Sequence, residues 1–175
     1  MKNKWRVLLF CLTSLLFIGC DRVTKDLAKE HLMDRGPITY LHNTVVLEYV
    51  ENTGAALSLG DSLPKPVSFW LLSILPLLFL IVLFVYAIRK ADKLNNWKLF
   101  AFALIFAGGL GNIIDRLAFD RHVTDFMNVG IGSLRTGIFN VADMCVTAGV
   151  IVLLFAYWER NPKEDDEPKS HSELT

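Results

Sequence analysis

Little in this chain would cross-link it or load it with metal. Among 175 residues there are three cysteines and four histidines. Cys11, Cys20 and Cys145 lie within or at the ends of apolar runs, where a cysteine reads as a small buried hydrophobe and not as part of a disulfide framework. The histidines are scattered, without a His-Glu-x-x-His or any paired-ligand spacing, so a protein-bound catalytic metal is not expected. Net charge is missing too: 18 Lys and Arg balance 18 Asp and Glu, and no basic surface points to nucleic acid. Internal repeats and polar residues midway along the apolar runs, which a small transporter with paired buried acids would show, are also absent.

What is abundant is apolar surface. Hydrophobic residues make up 53% of the chain, mean hydropathy is +0.38, and a membrane protein is the first inference. Four apolar segments stand out, Val7 to Cys20, Val67 to Ile88, Leu99 to Ile114 and Met144 to Trp158. Only the second reaches the roughly 20 residues of a spanning helix. The others stop at Asp21, at Asp115 with Arg116, and at Asn140 with Asp143, so each helix is expected to carry on with polar side chains at its end. Lys2, Lys4 and Arg6, then Arg89, Lys90, Lys93 and Lys98, then Arg160 and Lys163 flank the spans on one side, with Trp5, Trp97 and Trp158 at the same boundaries. The positive-inside rule places them all in the cytoplasm, giving four spans with both termini inside. The tail 159–175 lacks an apolar pattern and reads as a disordered cytoplasmic appendage, leaving 1–158 as a single domain.

The first segment poses a puzzle of its own. A basic start, an apolar run and "LLFIGC" imitate a bacterial lipoprotein leader with Cys20 as its lipid site. Phe17 fits the usual aliphatic position poorly, and cleavage would leave three spans, against the pattern of basic loops. The segment therefore reads as a retained helix, with Cys20 at its outer end by coincidence of composition.

With that orientation Asp21, Lys25, Asn52, Asn112, Asp115, Arg116, Asp125, Asn140 and Asp143 all fall on the outer side. Such groups are costly near membrane helices unless they pair or line a wet site. Asn112, Asp115 and Arg116 share one helix face, and Asn140 with Asp143 repeats the spacing. Asp21 and Lys25, four apart, read first as a local ion pair. Ala103, Ala107 and Gly111 form a small-residue stripe suited to close helix packing. "TVVLEYVENTGAALSLG" reads as a strand, a turn at Asn52-Thr53-Gly54 and a second apolar piece: a small outer sheet, either a simple hairpin cap or a surface offering backbone groups to an extended peptide. "VTDFMN" and "FNVADM" each set one acid among apolar neighbours. Such an acid is a helix cap or half of an ion pair. If the two face each other, repulsion and desolvation leave one protonated and one ionised, a pair able to activate water. Ser58, Ser62 and Lys65 supply the types of a Ser/Lys peptidase, in a loop without a positioning frame.

Taken together, "DRVTK", "ENTGAALS", "GGLGNIIDR", "VTDF" and "FNVAD", in this order and spacing, closely resemble lipoprotein signal peptidase (signal peptidase II). The resemblance spans about residues 5 to 158. It implies an all-α membrane fold of four helices with a small β-cradle, about 38–62, on the outer, periplasmic face. It also implies an aspartic endopeptidase of the bacterial inner membrane, without cofactor or metal, that cuts diacylglyceryl-modified prolipoproteins just before the lipidated cysteine. Asp125 and Asp143 match the catalytic aspartates. Asn52, Gly54, Asn112, Arg116 and Asn140 match substrate-binding positions, with Asp21, Lys25 and Asp115 in support. Arg116 can meet a lipid phosphate or pair with Asp115 or Asp125. Prolipoproteins and membrane lipid are the implied partners, nucleic acid is not one, and a monomer is the expectation.

Overall fold

The computed structural model describes residues 2–54 and 63–158. Leu57, Ser58, Ser62 and the rest of 55–62 lie outside the described residues, as does the tail expected to be disordered.

Helix α1 (Lys2–Leu32) does not stop where its apolar run stops. It continues past Cys20, which is exposed on its surface, and carries Asp21 and Lys25 on its final turns. At about 1.5 Å per residue it outreaches a hydrocarbon core of roughly 30 Å. The second span is built in three pieces, α2 (Lys65–Phe69), a π-helical turn (Trp70–Ile74) and α3 (Leu75–Lys90). Pro76 explains the join: it has no N–H to give and its ring crowds the Leu72 carbonyl, so the wider turn absorbs the misfit. Helix α4 (Asn96–Ala118) starts where Asn95 Oδ1 accepts the Lys98 N–H at 2.7 Å, an ordinary N-cap. Helix α5 (Val141–Trp158) is the last. Four helical stretches, Lys4–Leu32, Lys65–Lys90, Asn96–Ala118 and Val141–Trp158, are long and apolar enough to cross a membrane.

Helix α4 sits at the centre and packs on α1, α3 and α5. Its small residues make that possible, since Ala103 and Ala107 are fully buried. Gly108, outside the stripe picked from the sequence, is tighter still: a Cβ there would collide with the Ala142 carbonyl oxygen and Val146 of α5. Away from the sheet, Phe10, Leu83, Leu94, Leu99, Phe102 and Ile105 close an apolar cluster.

Four antiparallel strands, β1 (Ile38–Tyr40), β2 (Val45–Asn52), β3 (Val123–Ile131) and β4 (Leu134–Arg135), lie in the order β1-β2-β3-β4. The sheet thus extends beyond the expected 38–62 cradle, with half its strands from the α4–α5 connection. A register shift between Leu47 and Val50, opposite β3, bends the pair beside Asp125, the usual effect of a bulge. Phe126 reaches Ala28 and Leu32 and fastens the sheet to the end of α1.

Candidate active site

The site is organised by the start of α5. Asn140 Oδ1 accepts the Asp143 N–H at 2.9 Å, and Asp143 Oδ2 accepts the Asn140 N–H at 3.1 Å. This reciprocal pair is a capping box made with Asn and Asp, satisfying two donors that a helix start would otherwise orphan. The cap reading of Asp143 therefore holds, yet it uses only one carboxylate oxygen. The other, Oδ1, accepts from Asn112 Nδ2 at 2.8 Å.

Asn140, wholly buried, also donates through Nδ2 to Asp125 Oδ1 at 2.7 Å and to Asn112 Oδ1 at 3.1 Å. Asp125 belongs to β3, not to a helix end as its neighbours do. There it is held from the far side by Asn52 Nδ2, which donates to Oδ2 at 3.0 Å. Asn52 Oδ1 in turn accepts the Gly54 N–H at 2.8 Å, fixing the turn after β2. Two amides thus link the two acids, Asn140 bonding Asp125 and Asn112 and Asn112 bonding Asp143, while Asn52 holds Asp125 alone.

A cavity of about 670 Å³ opens on this chain. Asn52, Asn112, Arg116, Asp125 and Asp143 line its polar side, while Val123, Ile138, Phe139, Val146 and Ile151 supply apolar wall. Burial pushes the Asp125 carboxyl up to about 6; the Asn52 hydrogen bond opposes this, the Asp143 charge adds to it, and Asn140 and Lys25 oppose it. An acid that hovers near neutrality beside a second acid, in a largely apolar cleft, is a candidate for proton transfer.

Asn112 and Arg116 face the cavity, whereas Asp115, expected on the same face, turns toward α1. It accepts Arg22 Nη1 at 2.7 Å and pairs with Lys25 Nζ at 2.8 Å. Lys25 has three partners: Asp115, Asp21 at 2.8 Å and Asn112 Oδ1 at 3.0 Å. The expected Asp21–Lys25 ion pair is present within this larger group. Asp21 also accepts the Ala142 N–H at 2.8 Å and so ties α1 to the start of α5. Arg116 Nη2 donates to the Gly54 carbonyl at 2.9 Å. Among the described residues no carboxylate lies within ion-pair distance of it, so the Asp115 or Asp125 pairing is not formed. Lys65 is exposed, lies 3.7 Å from Asp120 and takes no part in the cavity wall.

Sequence reasoning gave Arg22 no part, and it lies outside the cavity wall while helping to neutralise Asp115. It missed the wall segment Thr136–Phe139 altogether, which carries no ionisable group to draw notice. Among the described residues no three His, Cys, Asp or Glu side chains gather as a metal site would require.

Comparison with known proteins gives the family. The family described as Signal peptidase (SPase) II matches residues 13–159. The chain is 33% identical to the lipoprotein signal peptidase of Streptococcus pyogenes serotype M1, over 90% of this chain and 95% of that one. It is 36% identical to that of Francisella tularensis subsp. novicida, over 84% and 89%, and 33% identical to that of Desulforapulum autotrophicum, over 83% and 88%. Among solved structures, a bacterial membrane enzyme determined in meso at 2.3 Å superposes with a TM-score of 0.75 at 26% identity, covering 91% of this chain and 93% of that one. A four-span bundle, a cavity with two acids and this likeness along most of its length lead to one conclusion: the chain belongs to the signal peptidase II family of membrane peptidases that remove signal peptides from prolipoproteins.

Proposed function

We propose that the protein is an aspartic endopeptidase in which Asp125 and Asp143 activate a water molecule to cut a diacylglyceryl-modified prolipoprotein just before its lipidated cysteine. The observation that supports this best is the amide-linked pair itself. Two acids from different elements line one cavity, and one of them is raised to about 6. Asp125, lifted toward neutrality, carries the shared proton. Asp143 takes a proton from water as the water oxygen attacks the scissile carbonyl carbon, and Asp125 gives its proton to the carbonyl oxygen. A tetrahedral diol results. Asp143 then returns its proton to the departing nitrogen, the C–N bond breaks, and Asp125 recovers the diol proton as the new carboxyl group forms. Apparent constants for these steps belong to the pair.

The remaining residues take supporting parts in this reading. Asn52, Asn112 and Asn140 hold the acids, and Gly54 and Arg116 form the rim where an extended peptide and an anionic headgroup meet the protein. Asp21, Lys25 and Asp115 brace the frame. The basic ends of the spans lie in the cytoplasm of the inner membrane and the sheet end lies at its outer face, where the lipidated cysteine of a precursor would sit. The chain works as a monomer, as one domain over 1–158.

Purified protein incubated with diacylglyceryl-modified precursor in lipid tests the reading. Asp125→Asn or Asp143→Asn is expected to lower kcat by about a thousandfold or more while precursor binding persists. The double variant should be scarcely worse, because either loss already disables the unit. Chelators should change nothing. Substantial turnover by either single variant would refute the aspartic mechanism.

A further inference from the structure

Lys25 is more tightly placed than an anchoring ion pair needs to be. Its side chain is fully buried, and each of its three N–H groups has one partner: Asp21 and Asp115 at 2.8 Å and Asn112 Oδ1 at 3.0 Å. Asp21 alone would satisfy a local pair. Both carboxylates, with Arg22 also on Asp115 at 2.7 Å, settle the charge. The third bond leaves the ionic group and reaches a residue of the cavity wall.

That bond has a directional consequence. The two ends of an Asn amide are nearly equal in shape, and its partners decide which way it faces. A lysine ammonium can only donate. Asn112 Oδ1 is turned to it and to Asn140 Nδ2 at 3.1 Å, which leaves Asn112 Nδ2 aimed at Asp143 Oδ1 at 2.8 Å. The reversed amide would set N–H groups against two donors and an oxygen against a carboxylate. We propose that Lys25 is a positioning residue: its ammonium locks the rotation of the Asn112 amide and thereby the aim of the Asp143 carboxylate. This rests on the aspartic reading above.

The test is the charge-neutral pair Asp21→Asn with Lys25→Met. Asn at 21 keeps an oxygen for the Ala142 N–H, and Asp115 keeps Arg22, so the ionic group loses one charge of each sign. A bracing role predicts wild-type kinetics for this variant once it is folded. The positioning role predicts an unchanged KM for diacylglyceryl-modified precursor, with kcat lowered about 10- to 100-fold. The charges facing Asp125 are Asp143 from α5, Arg116 from α4 and Lys25 from α1. Removing Lys25 alone of these disfavours the ionised form of Asp125 and moves the limb of the pH profile that Asp125 sets upward. Asp21→Asn with Lys25→Gln, which restores a neutral donor, should recover part of kcat and decides the matter if the Met form does not fold. In an Asn112→Ala background the pair should cost nothing further. Wild-type kcat in the Met form, no gain of kcat by Gln over Met, or a full additional loss over Asn112→Ala, overturns the proposal. Asp125→Asn runs beside them: turnover by it would refute the aspartic reading, while its inactivity beside a wild-type-like Lys25 variant would refute this inference alone.

Discussion

The two ends of the bundle are held together by opposite means. Away from the sheet, Phe10, Leu83, Phe102 and Ile105 fill space with apolar volume. At the sheet end, beside the apolar contact of Phe126 with Ala28 and Leu32, Asp21, Lys25, Asp115, Asp125 and Asn140 are equally buried and are held by directed bonds between named atoms. A packed apolar cluster can rearrange around a change of shape. A buried ionic group cannot, because removing one partner strands another. Under the proposed chemistry the difference accounts for the placement of the site: fixed dipoles and charges that hold the helices would also hold Asp125 and Asp143 without further ordering.

The largest break in that contrast should come from Asp115→Ala set against Phe10→Leu. The first takes from Lys25 one of its two carboxylates and from Arg22 its buried one, leaving Asp21 and Asp26 as their remaining acidic partners, and is expected to cost on the order of 3 kcal/mol; the second should cost about 1.5 kcal/mol or less. Thermal unfolding in detergent would compare them directly, and equal losses would erase the distinction. Arg116→Ala probes the rim, where the fold should survive. Handling of lipidated precursor is expected to weaken by about tenfold, with Arg116→Lys restoring it only in part, since a point charge does not reproduce a planar fork. Kinetics identical to wild type would remove Arg116 from substrate contact.

An effect of pH follows from Asp125. Its carboxyl rises from 3.8 to about 6 on folding, so between those values the folded protein holds a proton that the unfolded chain has released. Stability at this position is therefore greatest below about pH 4, falls by on the order of 2–3 kcal/mol as pH rises to about 6, and is flat above. Asp125→Asn lacks the term, and its unfolding midpoint should gain on wild type across that window. A constant gap would show that burial does not tax the carboxylate. The smallest effect is expected at Cys20, exposed on a continuous helix. Cys20→Ser should leave protein size, membrane location and activity near wild type, and a mature chain beginning at a lipidated Cys20 would contradict this.

Much of this architecture was legible in the sequence because its signals are long. Four apolar runs gave four spans, and Asp21 and Lys25 beyond the first run announced a helix that outlasts its hydrophobic part. Strand β3 was not read as a strand. Val123, Thr124, Asp125 and Phe126 are all buried, so neither face carries the polar alternation that marks a half-exposed strand. Asp125 was consequently picked out by its motif while its element went unrecognised. The pairing of Asp115 was illegible for another reason. Three-and-four spacing puts Asn112, Asp115 and Arg116 near one another, but which neighbour each meets depends on where α1 crosses α4, a tertiary fact. The wall segment Thr136–Phe139 owes its place to backbone bonds that Thr136 and Phe139 make with β3, which no side-chain pattern announces.

The capping box at the head of α5 carries a meaning beyond its geometry. The bonds that start the helix are the bonds that orient Asp143, and Asn140, which makes them, also grips Asp125 from a strand nearly a full helix earlier in the chain. Under the proposed chemistry a protein still threading into the bilayer owns both acids but no functioning blade. Hydrolytic power arrives only with the last helix seated, so the nascent enzyme is harmless to its neighbours and to itself until its own construction is finished.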